Sequence, residues 1–125
     1  MVLDILFLTD EDVRSLLTMR EALDAVEEAF KERELGRAQM PPKLYVFFRK
    51  YSGDLRVMPA YLERIGVAGV KVVNVHPKNP TKYGLPTVMA TIVLIDPKSG
   101  APICVMDGTR ITAMRTGGAG GVAAK

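Results

Sequence analysis

The feature that most constrains this chain is a series of β-type runs between Leu44 and Asp107. The runs are rich in Val, Ile, Thr, Tyr and Phe, and clusters of Gly, Pro, Asn, Asp and Ser separate them. They cover residues 44–48, 55–62, 67–75, 87–96 and 102–107. Because several connections are short turns, we expect neighbouring strands to pair antiparallel. A further short strand is predicted at residues 2–8.

Two capping-box patterns predict two helices ahead of this sheet. In each pattern a threonine is followed three residues later by an acid, Thr9 by Asp12 and Thr18 by Glu21. The predicted helices cover 10–17 and 19–35, and Gly36 is expected to end the second. The second helix carries apolar residues at helical spacing, which we expect to pack in the core. These residues are Met19, Leu23, Val26 and Phe30.

Residues 109–125 form an unusual tail. The segment is rich in Ala, Thr and Met, which favours a helix, yet Gly117, Gly118, Gly120 and Gly121 interrupt it. Each interior glycine costs a helix about 1 kcal/mol relative to alanine, so we expect a close approach by another backbone or a ligand. The tail has no capping residue at its end, and we expect the chain to be part of a longer protein. Helices followed by a sheet indicate an α+β fold for residues 1–125.

Composition and charge exclude several classes of function. The chain has 125 residues, of which 48% are hydrophobic and 25% charged, the range of one globular domain. The net charge of +3 is spread along the chain without a basic run, so neither nucleic-acid nor membrane binding is expected. Cys104 is the only cysteine, which fits a cytoplasmic protein. His76 is the only histidine, and we expect a loop residue and no metal site.

Three cations stand in apolar or small-residue surroundings. Lys71 lies between valines in the run 67–75, Arg56 lies in the run 55–62, and Arg115 lies in the glycine-rich tail. A cation removed from water is costly unless an anion neutralises it, so the three are candidates for one anion site. The alternative stays open at this stage. Strand alternation can turn Lys71 or Arg56 to solvent, and Arg115 can lie on an exposed helix surface.

Five segments in order carry a resemblance to a known family. They are MPPK (40–43), RVMPA (56–60), KVVNVHP (71–77), GLPTVMA (84–90) and the segment 105–116. Together they resemble the ornithine cyclodeaminase/μ-crystallin family, particularly its archaeal alanine dehydrogenase branch. The resemblance implies that residues 1–125 form the substrate-binding and dimerisation domain. An NAD-binding Rossmann domain would be absent from this chain, which contains no G-x-G-x-x-G fingerprint after a strand.

The resemblance also implies roles for single residues. It gives Lys71 a catalytic role, and it places four cations at the substrate carboxylate and the carbon that becomes an imine, namely Lys43, Arg56, Lys71 and Arg115. It places three residues near the nicotinamide cofactor or its phosphates, namely Thr87, Arg115 and Thr116. Many members carry an arginine at the position of Lys43, and a lysine there keeps the charge but loses the bidentate fork.

Arg56 bears on the substrate. Cyclodeaminase members carry a glutamate at this position, which suits the distal amine of ornithine. An arginine would repel that ammonium group and favour a small 2-oxo acid such as pyruvate. An arginine also occurs here in the alanine dehydrogenase branch, so the resemblance favours oxo-acid and amino-acid redox chemistry.

The implied function is the substrate-binding half of an NAD(P)-dependent amino-acid oxidoreductase. The implied partners are a small amino acid or 2-oxo acid and a second copy of the chain, with the sheets edge-paired or closed into a barrel across a two-fold axis. Two alternatives remain open, half of an ornithine cyclodeaminase and a non-catalytic dimeric binding module of μ-crystallin type. We expect residues 1–125 alone neither to bind NAD or NADP tightly nor to catalyse the reaction.

Overall fold

The computed structural model describes residues 3–123, which form a seven-stranded sheet with helices packed on one face. The strands are β1 (Leu6–Leu8), β2 (Ala38–Gln39), β3 (Leu44–Phe48), β4 (Gly53–Leu62), β5 (Val67–Val75), β6 (Val88–Ile95) and β7 (Pro102–Asp107). The helices are α1 (Asp10–Leu16), α2 (Met19–Glu34), α3 (Asn79–Lys82) and α4 (Thr109–Ala123), with a 3₁₀ turn at Arg49–Tyr51. No helix in this part of the chain is long and apolar enough to cross a membrane.

The sheet is mostly antiparallel, as the short turns predicted. Its strand order is β1-β7-β6-β5-β4-β2, and β3 pairs with β4 beside β2. Every pair from β2 to β7 is antiparallel. β1 instead runs parallel to β7, with Leu6 opposite Cys104. Sequence analysis did not predict this parallel pair, because its two strands lie at opposite ends of the chain.

One face of the sheet, here called the first face, carries the core. Its buried residues are Val73, Ala90 and Cys104, which strand pairing places on the same side. A side-chain carbon built on Gly108, just before α4, would lie 2.9 Å from Cγ1 of Ile92 on this face. The glycine therefore lets the start of α4 approach β6 closely, and α4, with α1 and α2 packed against it, covers the central part of the first face.

The opposite face, here called the second face, is not covered by α1, α2 or α4. Large apolar side chains on it are exposed, including Phe7 (71%), Leu44 (68%) and Val46 (52%). None of the buried strand side chains within residues 3–123 lies on this face. The second face is therefore an extended apolar surface.

Both predicted capping boxes are present. The Thr18 hydroxyl accepts a hydrogen bond from the Glu21 amide, and the Glu21 carboxylate accepts one from the Thr18 amide. Thr9 and Asp12 form the same arrangement at the start of α1. Gly36 follows α2 with φ of 73°, the left-handed conformation that a glycine stop requires.

The apolar stripe of α2 is less buried than predicted. Leu23 and Val26 in its middle are half-buried, but Met19 and Phe30 towards its ends are 47% and 42% exposed. The expectation of core packing is therefore right for the middle of the stripe only. At the tail glycines, a side-chain carbon on Gly117 would lie 3.2 Å from the side-chain tip Cε of Met19, whereas one on Gly120 would have nothing within 4 Å. The close approach by a backbone or a ligand that the sequence predicts is therefore not seen at these two glycines.

A buried carboxylate joins α2 to the turn between β4 and β5. Glu32 is 1% exposed and accepts hydrogen bonds from Arg37, at 2.7 Å, and from Arg64. Arg64 also bonds Glu28, one turn earlier on α2. The hydrogen bond from Arg64 is the main reason that the pKa of Glu32 lies below its ordinary value, and burial opposes this shift. Sequence analysis did not single out this cluster.

Most element boundaries agree with prediction to within about two residues, the ordinary disagreement at element ends. The predicted strand 2–8 is shorter, since β1 covers Leu6–Leu8. The connection between β5 and β6 contains α3, one helical turn with a proline near its start. The helix predicted over 109–125 is present as α4, and residues 124–125, like residues 1–2, lie outside the described residues.

Candidate functional site

Lys71 lies at the centre of β5 on the first face. Its cross-strand neighbours are Met58 on β4 and Ile92 on β6. The side chain is half-buried, and it stands on the face that α4 covers. Of the two alternatives from the sequence, the structure therefore selects the one in which Lys71 is partly desolvated among apolar residues.

The electrostatic surroundings of Lys71 are positive. Burial is the main cause that lowers the pKa of its ammonium group, and the charges of Arg115 and Lys43 lower it further. Within residues 3–123, no carboxylate forms an ion pair with any of these three cations. A group of like charges without a counter-charge is unfavourable by itself and is relieved when an anion binds. We call Lys43, Lys71 and Arg115 the cationic cluster.

Arg56 is close in the sheet but differently engaged. It lies opposite Val73, diagonal to Lys71 across β4 and β5 on the same face. Its guanidinium donates to Asp54 through Nε, at 2.8 Å, and through Nη2, at 3.3 Å. It also stands 5.1 Å from the ring centroid of Tyr45. The structure thus brings Lys43 rather than Arg56 into the unpaired cluster, and a substrate-binding role for Arg56 stays a prediction.

The predicted cofactor residues lie on two elements. Thr116 is exposed on α4 beside Arg115, and its hydroxyl donates to the carbonyl of Thr112 at 3.0 Å. Thr87 is half-buried just before β6, and its carbonyl accepts a hydrogen bond from the amide of His76 at 2.8 Å. An exposed arginine next to a hydroxyl suits a phosphate or carboxamide group. Contact of these residues with a nicotinamide cofactor stays a prediction.

A hydrogen-bond chain fixes the first turn of α4 on the sheet. The Thr109 hydroxyl donates to Asp107 at 3.0 Å and accepts from the amide of Ala90 at 3.0 Å. The Thr112 hydroxyl donates to the carbonyl of Gly108 at 2.7 Å. These bonds hold the helix that carries Arg115 against β6, which adjoins the strand of Lys71. Asp107 thus accepts hydrogen bonds from both the amide and the hydroxyl of Thr109 at the start of α4.

A large cavity lies apart from the cationic cluster. It has a volume of about 820 Å³ and is lined by residues that include Asn74, His76 and Thr91. Asn74 and Thr91 belong to the second face, whereas Lys71 lies on the first face and does not line the cavity. His76 stacks on Phe48 with ring centroids 5.7 Å apart. Within residues 3–123, no three His, Cys, Asp or Glu side chains are grouped to hold a metal ion.

Sequence reasoning missed three neighbours of the cations. Tyr45 and Asp54 hold Arg56, and Met58 lies opposite Lys71 on the neighbouring strand. The contact between Asp54 and Arg56 could have been predicted from the sequence, because residues two apart on a strand lie on the same face. The other two depend on strand register across the sheet, which a single sequence does not specify.

The fold and the cationic cluster together define a type of domain. The chain is an α+β domain in which a mostly antiparallel sheet and a covering helix hold an unpaired cationic cluster, an arrangement that suits a small anion. The profile of the ornithine cyclodeaminase/mu-crystallin family matches residues 4–125, and the chain belongs to that family.

Individual relatives agree with this assignment. The chain is 58% identical to the alanine dehydrogenase of Archaeoglobus fulgidus over 123 residues, which cover 98% of this chain and 37% of that protein. The solved structure of an archaeal alanine dehydrogenase dimer with bound NAD matches with a TM-score of 0.90 and 58% identity, over 96% of this chain and 36% of that one. The Δ1-pyrroline-2-carboxylate reductase of Thermococcus litoralis, solved with NADH and L-proline, matches with a TM-score of 0.92 and 47% identity, over 95% and 36%. The chain therefore spans little more than a third of these relatives.

Proposed function

We propose that this chain is the substrate-binding and dimerisation part of an NAD(P)-dependent oxidoreductase that interconverts a small 2-oxo acid and an amino acid. The observation that carries the proposal is the half-buried Lys71, unpaired beside Arg115 and Lys43. Identity of 58% to an alanine dehydrogenase supports pyruvate and alanine as the substrate pair.

In this proposal the cationic cluster binds the substrate carboxylate. Lys71 and Arg115 donate hydrogen bonds to it, and Lys43 adds charge without a bidentate contact. Lys71 also faces the α-carbon, where its ammonium group polarises the carbonyl or imine as negative charge develops on the heteroatom. The apolar neighbours Met58 and Ile92 exclude water from this contact and so strengthen it.

The residues proposed to contact NAD or NADP suit such a cofactor. Arg115 and Thr116 are exposed on α4 and offer a cation and a hydroxyl, and Thr87 lies before β6 at the end of the loop that contains α3. When bound, the cofactor supplies or accepts the hydride. Its main binding domain would lie in the longer protein, so residues 1–125 by themselves would bind it weakly.

A homodimer follows from the uncovered second face. Its exposed apolar side chains, such as Leu44 and Val46, and the free edge of β3 are liabilities for a soluble monomer. A second copy of the same face would cover them, by edge pairing or by closure of the two sheets into one barrel. The solved alanine dehydrogenase described as a dimer supports this arrangement.

The decisive experiment measures NADH oxidation by the full-length protein with pyruvate and ammonia, and with ornithine and NAD in parallel. We expect turnover of pyruvate and no deamination of ornithine. Deamination of ornithine to proline without turnover of pyruvate would favour the cyclodeaminase alternative, and tight dinucleotide binding without turnover of either would favour the binding module. The isolated chain 1–125 is expected to be inactive, and measurable pyruvate reduction by it would contradict the need for a second domain.

A further inference from the structure

Arg56 is held from two sides on the first face. Asp54, two residues earlier on β4, accepts hydrogen bonds from Nε and Nη2, and both side chains of this ion pair are largely removed from solvent, with 31% and 19% exposure. Tyr45 is the cross-strand partner of Arg56 on β3, and its ring lies 5.1 Å from the guanidinium carbon. The guanidinium is therefore fixed in position and neutralised.

The geometry of the pair leaves part of the guanidinium free. Arginine has five N–H donors in a planar fork, and Asp54 uses only the edge formed by Nε and Nη2. The N–H groups of Nη1 make no hydrogen bond to Asp54, so Asp54 and not a steric block is what opposes a second carboxylate at this end. The hydrogen bonds from Arg56 to Asp54 are the main cause that raises the pKa of the guanidinium, which therefore keeps its positive charge beside the carboxylate.

The position of the pair relates it to the proposed substrate. Arg56 lies opposite Val73, and Lys71 lies opposite Met58 one row away. Such diagonal neighbours on adjacent strands are about 7–8 Å apart. If the substrate carboxylate binds at the cationic cluster, the side chain of the substrate is thus within reach of Arg56 and Asp54.

We propose that Asp54 determines substrate specificity by neutralising Arg56. This inference rests on the proposed function and names its substrate class, a monocarboxylic 2-oxo acid whose side chain has no charge. Asp54 would repel a second carboxylate on the substrate, although Arg56 is next to it. Arg56 would repel an ammonium group on the substrate, although Asp54 is next to it. The paired charges therefore disfavour dicarboxylic and diamino substrates alike.

Two variants of the full-length protein test the two halves of the pair. Asp54→Asn frees the charge of Arg56, so kcat/KM for 2-oxoglutarate relative to pyruvate should rise about tenfold or more, the scale of one charge-assisted contact. Arg56→Gln frees the charge of Asp54, so oxidation of ornithine relative to alanine should rise by a similar factor. The double variant Asp54→Asn/Arg56→Gln has neither charge and should lose both gains.

The two single variants should change substrate preference in opposite directions, which distinguishes a role in specificity from a purely structural role. A purely structural role of Asp54 would lower kcat/KM for all substrates in parallel and leave their ratios unchanged, and that result would overturn the proposal. Binding of pyruvate and 2-oxoglutarate, measured by calorimetry in the same variants, gives the ratio independently of turnover. If the wild type binds pyruvate without reducing it, the proposed function fails, while the affinity ratios still decide the role of Asp54.

Discussion

Replacement of Lys71 by methionine should raise stability and lower activity in the same molecule. Lys71 is half-buried, burial and two nearby cations lower the pKa of its ammonium group, and its strand neighbours Met58 and Ile92 are apolar. Methionine has a similar unbranched shape without the charge. The substitution therefore removes a desolvation cost and a repulsion, and it adds an apolar contact.

The size of the stability gain follows from the charges. Two like charges about 8 Å apart repel by about 0.5 kcal/mol in water and about 2 kcal/mol at an effective dielectric constant near 20. Solvent around a half-exposed side chain favours the lower figure, so relief from two cations contributes about 1 kcal/mol. The thermal midpoint should rise by about 3–6 °C for a domain of this size.

The assay compares the full-length Lys71→Met variant with the wild type by thermal unfolding without substrate and by kcat/KM for pyruvate. We expect the higher midpoint together with a loss in kcat/KM of about 10²-fold or more, the scale of one preorganised charge contact. Lys98→Met, in the exposed turn between β6 and β7, is the matched control and should change neither quantity. A lower midpoint for Lys71→Met with unchanged activity would refute the interpretation of Lys71 as a strained binding residue.

Three further substitutions test other features. Glu32→Gln should lower the thermal midpoint by several degrees at pH 7. Because Arg64 lowers the pKa of Glu32, the carboxylate stabilises the fold at pH values above its ordinary pKa of 4.5 and loses this effect as the pH falls. A variant with the same acid-unfolding profile as the wild type would contradict this account. Lys43→Gln removes one cation beside Lys71 and should raise the pKa of Lys71. The fall in kcat/KM at alkaline pH should therefore move to higher pH, and an unchanged pH profile would count against electrostatic coupling between Lys43 and Lys71. Val46→Glu places a charge on the second face and should convert the dimer to monomer by light scattering, whereas an intact dimer would exclude this face as the interface.

Local patterns predicted much of the fold because local interactions determine it. The capping boxes at Thr9 and Thr18 gave both helix starts, and Gly36 gave the end of α2. The pairing of β1 with β7 was not predictable, since it joins distant segments and leaves no local pattern. β2 was missed because two residues carry no periodicity.

The candidate site divides in a similar way. Lys71 was identifiable because a lysine among valines is unusual in a strand, but the choice of face was not, because β5 is apolar on both sides. Two features depend on how the strands pair and how α4 crosses them. Lys43 belongs to the cationic cluster, and Arg56 is instead ion-paired with Asp54. A pattern within one strand does not specify either.

The parallel pairing of β1 with β7 has a consequence for synthesis on the ribosome. Leu6 and Phe7 find their partners only when Cys104 and Val105 have been made, roughly a hundred residues later. At translation rates of about 5–20 residues per second, this interval lasts about 5–20 seconds. Throughout it the apolar segment Leu6–Leu8 is without its strand partner and is open to binding by a chaperone.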